Sequence, residues 1–171
     1  MDSQLKILSL DLSMSSTGYA VLETDGELVK VVELGHIDNK KQGRAKWSHG
    51  KRLSRIFSEL KVVINRHPDI SVVVREKGVT RFNKATQVIF RVVGVVDLLL
   101  ETVGLHPSTE VGITEAKKLI TGSGKADKEQ IAQKVVGYLS EPVDFSVDDE
   151  SDAVAVGVAY MIKEGITHGC L

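Results

Sequence analysis

The chain has 171 residues, 42% of them hydrophobic, and a formal net charge of -1. This length suits one compact domain spanning residues 1–171, and near-neutrality excludes a global positive field as the means of drawing in nucleic acid. A single cysteine, Cys170, excludes a disulfide framework or a zinc site. With no leader pattern and no 18-residue apolar run, a cytoplasmic protein with no membrane partner is expected.

Charge is unevenly distributed. Lys40, Lys41, Arg44, Lys46, Lys51, Arg52, Arg55, Lys61 and Arg66 crowd one stretch, opposed only by Glu59. A solvated helix face explains that run better than a nucleic-acid contact. Glu141, Asp144, Asp148, Asp149, Glu150 and Asp152 crowd another stretch.

Residues 5–10 read as a central strand, apolar apart from Lys6 and Ser9. Residues 17–23 and 27–34 read as two further strands, with Asp25-Gly26 as a hairpin signal. From Trp47 to Ile64 the apolar period becomes helical, and Pro68 stops that helix. Ile70 to Val74 is a buried strand that ends on Glu76. Residues 83–103 form a helix apolar over much of its surface, which calls for burial on two sides. A short strand follows at 109–113, a short helix from Thr114, and a helix over 127–139 capped by Asp127. Residues 149–164 alternate like a strand at Val154, Val156 and Val158, yet Ala153, Ala155 and Ala159 favour helix. Helix is the better reading, because Asp149 and Asp152 then share one face of its first turn. The order predicts an α/β fold: a three-strand antiparallel meander extended by parallel strands into a mixed five-stranded sheet, with helices on both faces.

The acids mark the site. Asp11 ends the first strand, Glu76 ends the fourth, and Asp149 and Asp152 open the last helix. A short acid at the end of a buried strand is costly unless a cation compensates it. Clustered carboxylates from several elements suit divalent ions, and two such ions assist phosphodiester hydrolysis. Without metal these acids repel, so one or more should have a raised pKa. Asp148 and Glu150 read as solvated neighbours, although a slip of register would exchange Asp148 for Asp149.

Leu8-Ser9-Leu10-Asp11-Leu12-Ser13 with Thr17-Gly18-Tyr19-Ala20, Val72-Val73-Val74-Arg75-Glu76, and Asp149-Glu150-Ser151-Asp152-Ala153 together resemble the RuvC family of Holliday-junction resolvases. Thr114 to Lys128 is similar to that family's basic segment. The resemblance implies an RNase H-like fold and a homodimer, joined where the 83–103 helix lies. It also implies a magnesium-dependent endonuclease that makes paired nicks in four-way DNA junctions, with manganese able to substitute. A helicase partner stays open. Asp11, Glu76, Asp149 and Asp152 would be the metal-binding and catalytic acids, with Lys117 and Lys128 beside them in catalysis. Lys77, Arg81, Phe82, Lys84, Lys118 and Lys125 would contact DNA. The family often has an aromatic residue soon after the strand-four glutamate, and here Phe82 is displaced from that place.

Other readings keep their own tests. A related nuclease could act on other branched DNA, on hybrid duplexes or on structured RNA. An actin-like ATPase would need a second domain and a second glycine-rich motif. Gly122-Ser123-Gly124-Lys125 lacks the spacing of a phosphate loop.

Overall fold

The computed structural model describes residues 5–40, 47–78, 84–106 and 109–168. Three strands open the chain: β1 (Leu5–Asp11), β2 (Ser16–Thr24) and β3 (Val29–Asp38). Helix α1 (His49–Arg66), β4 (Val72–Glu76), α2 (Lys84–Thr102) and β5 (Glu110–Val111) follow. The chain then runs through α3 (Ile113–Thr121), α4 (Lys128–Val135) and α5 (Asp148–Lys163). The sheet order is β3-β2-β1-β4-β5. The β1/β2 and β2/β3 pairs are antiparallel, and the β1/β4 and β4/β5 pairs are parallel. This is the mixed five-stranded sheet the periodicity predicts.

Strand alternation sorts each side chain to one of two helical layers. Leu8, Leu10, Val21, Ile37 and Val73 meet Ile56, Leu60 and Val63 of α1 and Val92, Val96 and Leu99 of α2. Ile7, Ala20, Leu22 and Val74 meet Ala153, Val154, Val158 and Met161 of α5 on the opposite face. Small residues let α5 come close. A Cβ on Gly157 would lie 2.4 Å from Leu22 Cδ1 and 2.9 Å from Ser9 Cβ. Ser9 Oγ donates to the Ala153 carbonyl at 2.6 Å, which turns an otherwise awkward buried hydroxyl into a strut between β1 and α5. Arg75 pairs with Glu110 at 2.9 Å, tying β4 to the two-residue β5. Lys163 pairs with Glu115 at 2.9 Å, tying the end of α5 to α3.

Four local expectations are corrected. β3 runs to Asp38, well past residue 34, because its second half pairs with the start of β2. The helix from Asp127 ends at Val135 and tightens into a 3-10 turn over Val136–Tyr138. Leu139 is buried next to that turn and Ser140 N donates to Val29 O at 2.9 Å, so the chain must leave the helix to reach β3. Trp47 precedes α1, whose N-cap is Ser48, and its ring carries Lys51 Nζ at 4.4 Å. Arg52 is buried rather than solvated, on the inner face of α1. Among the described residues, no helix is long and apolar enough to cross a membrane.

Candidate active site

Sheet register assembles the site. Asp11 pairs with Gly18 across β1 and β2, and Gly18 pairs with His36 across β2 and β3. The parallel register of β1 and β4 runs to Leu10 opposite Arg75, so Asp11 and Glu76 come next, side by side on adjacent strands. Adjacent strands lie about 4.8 Å apart. His36, Gly18, Asp11 and Glu76 therefore form one row across four strands, facing α5.

The first turn of α5 sits over the middle of this row. A Cβ on Gly18 would lie 1.9 Å from the carbonyl oxygen of Asp149, so only glycine leaves room for the helix. Asp149 is further held by Ser16, whose Oγ donates to its Oδ2 at 2.7 Å. The loop after Asp11 is fastened by Thr17 Oγ1, which donates to Ser13 O at 2.7 Å. Register, a missing side chain and two hydroxyls thus bring acids from β1, β4 and α5 close enough to act on one another.

Electrostatics record that convergence. Burial pushes the Asp11 carboxyl up from 3.8 to about 7, and the fields of Asp152, Glu76 and Asp149 push it the same way. Burial also raises Glu76, helped by Asp152 and opposed by Lys128 and Lys117. The expected raised acids are therefore Asp11 and Glu76. Asp149 is one of the neighbours raising Asp11, while Asp148 acts on Lys128.

The lysines divide into two groups. Lys128 Nζ lies 2.7 Å from Asp152 Oδ2, a hydrogen bond that raises the lysine pKa. A cavity of about 110 Å³ brings Lys117 and Lys128 together with Glu76 and Asp152 over an apolar floor of Ile113, Ala116, Ile131, Ala155 and Val156. Lys77, Lys84, Lys118 and Lys125 are exposed and form no ion pair among the described residues. Lys77 directly follows Glu76, and Lys84 opens α2. Arg81 and Phe82 lie outside the described residues.

Among the described residues, no three carboxylates already close on one point as a finished ligand cluster. Asp152 instead faces Lys128, and Asp149 faces Ser16. The donor set nonetheless fits a hard divalent cation, because it offers carboxylate oxygens alone and includes a half-buried Asp11 crowded by three other acids and opposed only weakly by Lys128. A cation would take the place of the proton that Asp11 otherwise keeps near neutrality.

One acid departs from its sequence reading. Glu150 is 5% exposed rather than solvated. Burial alone would raise its pKa, but hydrogen bonds from His36 and Ser146 outweigh this and hold it below the ordinary carboxylate range. Sequence reasoning also passes over Ser16, Gly18 and His36 as site neighbours. Ser146 lies ahead of the N-cap Val147 and four residues from Glu150, outside the capping-box spacing, so the local pattern does not signal their contact.

Comparison with known proteins places nearly the whole chain in a family and a fold. The family model described as crossover junction endodeoxyribonuclease RuvC matches residues 7–160. The crossover junction endodeoxyribonuclease RuvC of Xanthobacter autotrophicus is 30% identical over 161 residues, covering 94% of this chain and 92% of the relative. The Ehrlichia ruminantium (strain Gardel) protein of the same description is 29% identical over 162 residues, covering 92% and 96%. Among solved structures, T. thermophilus RuvC in complex with a Holliday junction substrate superposes with a TM-score of 0.81 at 20% identity, covering 95% of this chain and 96% of that one. The human cytomegalovirus terminase nuclease domain, soaked with Mn, shares the fold more loosely, with a TM-score of 0.53 at 13% identity over 94% of this chain and 85% of that one. With the family match spanning residues 7–160, this chain belongs to the RuvC family of crossover junction endodeoxyribonucleases.

Proposed function

We propose that this protein resolves four-way DNA junctions by paired, symmetric phosphodiester hydrolysis that depends on a divalent metal. The observation that carries the reading is the half-buried carboxylate row of Asp11 and Glu76 beneath Asp149 and Asp152, with Asp11 shifted to about 7 by burial and its neighbours. Asp11, Glu76, Asp149 and Asp152 would hold magnesium, with manganese able to substitute. Such ions, when bound, supply the Lewis acidity that activates water and neutralises the departing oxygen.

The chain's own groups do the rest. The acids would hold those ions, and so would set where a phosphate could be bound. Lys128 leaves Asp152 when the acids are neutralised and turns its ammonium toward charge developing on the phosphate, where a preplaced cation is worth most. Lys117 backs it from the same cavity wall. Lys77, Lys84, Lys118 and Lys125 contact the DNA backbone, which contributes affinity and register but no sequence information. Two sites related by a two-fold axis match the symmetry of a four-way junction. A homodimer built on α2 is supported by Phe90 and Leu98, which are 51% and 60% exposed on that helix.

The test is a synthetic four-way junction with magnesium, compared with a flap, a linear duplex and an RNA–DNA hybrid at one salt concentration. Symmetric nicks in the junction, absent with Asp11→Asn, are expected. Equal or faster cutting of the hybrid would move the reading to a different nuclease. Sedimentation of wild type and Phe90→Glu at micromolar concentration tests the dimer, with a shift to monomer expected for the variant.

A further inference from the structure

Glu150 stands between two acids assigned to the metal site, yet it faces the other way. Its Oε1 lies 2.9 Å from His36 Nδ1 on β3. Its Oε2 accepts from Ser146 N at 2.8 Å, and Ser146 Oγ donates to the same carboxylate at 2.9 Å. One side chain thus joins the edge strand, the loop entering α5 and the first turn of α5.

That turn needs such a hold. The first turn of a helix has unpartnered backbone N–H groups and frays readily. The N-cap of α5 is Val147, which offers no capping side chain. On its inner side the turn rests on Gly18, which limits how deep it can sit but has no side chain to fix its rotation. His36 occupies the same row as Gly18 and Asp11, so its bond to Glu150 pulls the turn down onto that row from the β3 side. Ser16 holds Asp149 on β2. Asp149 and Asp152 leave the same helix within one turn of Glu150, so any rotation of that turn carries both carboxylates away from Asp11 and Glu76.

We infer that Glu150, gripped by His36 and Ser146, is a positioning residue that sets the rotation and depth of α5 so that Asp149 and Asp152 meet a divalent ion together with Asp11 and Glu76. The inference rests on the proposed metal-dependent cleavage and deepens it. A hydrophobic anchor could supply burial but not direction. A carboxylate bonded to two different elements fixes orientation, which is what a ligand set demands.

Three variants of the full chain test this: His36→Ala, Glu150→Ala and Glu150→Gln. Amide hydrogen exchange is measured in the metal-free protein. Manganese alone is titrated by calorimetry, and kcat and KM are measured on a four-way junction. In both alanine variants, exchange at residues 150–152, the first hydrogen-bonded amides of α5, should rise about tenfold or more while amides of β1 and α1 keep their protection. Manganese affinity should fall by about 10–100-fold, and kcat by a similar factor, with KM for the junction nearly unchanged. Glu150→Gln, which keeps an acceptor for Ser146, should recover most of each loss. If Glu150→Ala does not fold, His36→Ala decides the matter from the strand side. Unchanged exchange at 150–152 would overturn the inference. So would faster exchange with wild-type manganese affinity, because Glu150 would then be a helix cap and nothing more. If wild type cuts no junction, the proposed function fails, whereas the exchange and manganese measurements still judge Glu150.

Discussion

The backbone of Asp149 rests on Gly18, so closely that a single added carbon would lie 1.9 Å from its carbonyl oxygen. Gly18→Ala must therefore lift the first turn of α5 or bend β2. Overpacking of this kind costs about 1–3 kcal/mol. Activity should suffer more than stability, because both late acids ride on that turn. We expect at least a hundredfold loss of junction cleavage, with a folded protein by circular dichroism and a lower midpoint in denaturant. A cleavage loss no larger than the loss of folded fraction would argue against this tight seat.

Asp11 makes folding pH-dependent. Its pKa is about 7 in the folded, metal-free protein against an ordinary 3.8, with burial the largest cause and the neighbouring acids next. The folded state therefore holds this proton more tightly than the unfolded chain does. Its stabilising contribution is complete below the unfolded value and is lost as pH rises through 7. In EDTA, urea midpoints of wild type should fall across that window relative to Asp11→Asn. The variant should be the more stable of the two at pH 8, by about 1–3 kcal/mol. Manganese should shrink the difference, since the cation binds the ionised form. Parallel curves for both proteins would show that Asp11 is solvated.

Lys128 separates charge stabilisation from folding. Its side chain is 67% exposed, so the pair with Asp152 contributes little to stability. Lys128→Ala should change the denaturant midpoint little, yet lower single-turnover cleavage by about 10²–10³. Lys128→Arg should restore part of the rate. Rapid-quench measurement at saturating enzyme reports the chemical step alone.

The exposed lysines predict salt behaviour. Replacing Lys77, Lys84, Lys118 and Lys125 one at a time by alanine should weaken junction binding in calcium. Where the replaced lysine neutralises one phosphate, the plot of log affinity against log salt should flatten by about 0.9. Fluorescence anisotropy over a salt series measures this slope. A lysine whose replacement leaves both affinity and slope intact does not touch the backbone.

Much of this arrangement can be read from residue order, for a physical reason. Asp11 and Glu76 are conspicuous because each breaks an apolar strand at its last position, and burial makes such breaks costly. Asp149 and Asp152 are conspicuous because three positions along a helix is nearly one turn. Glu150 reads wrongly because local pattern cannot reveal what lies opposite a helix face. Its burial depends on His36, 114 positions away. That histidine is itself hidden by an early end to β3, where Gly35 and His36 interrupt the apolar run. The pairing of residues 35–38 with residues 16–19 of β2 carries the strand onward. The break after Val135 is invisible for a similar reason, since it is imposed by the junction of Ser140 with Val29.

Ser9, Gly18 and Gly157 sit at the seam between sheet and α5, and none tolerates enlargement. Anyone seeking a sturdier version of this protein should leave that layer alone and redesign beneath α1 and α2. There, away from the buried Arg52, the packing is mostly aliphatic and lies on the opposite side of the sheet from the acids.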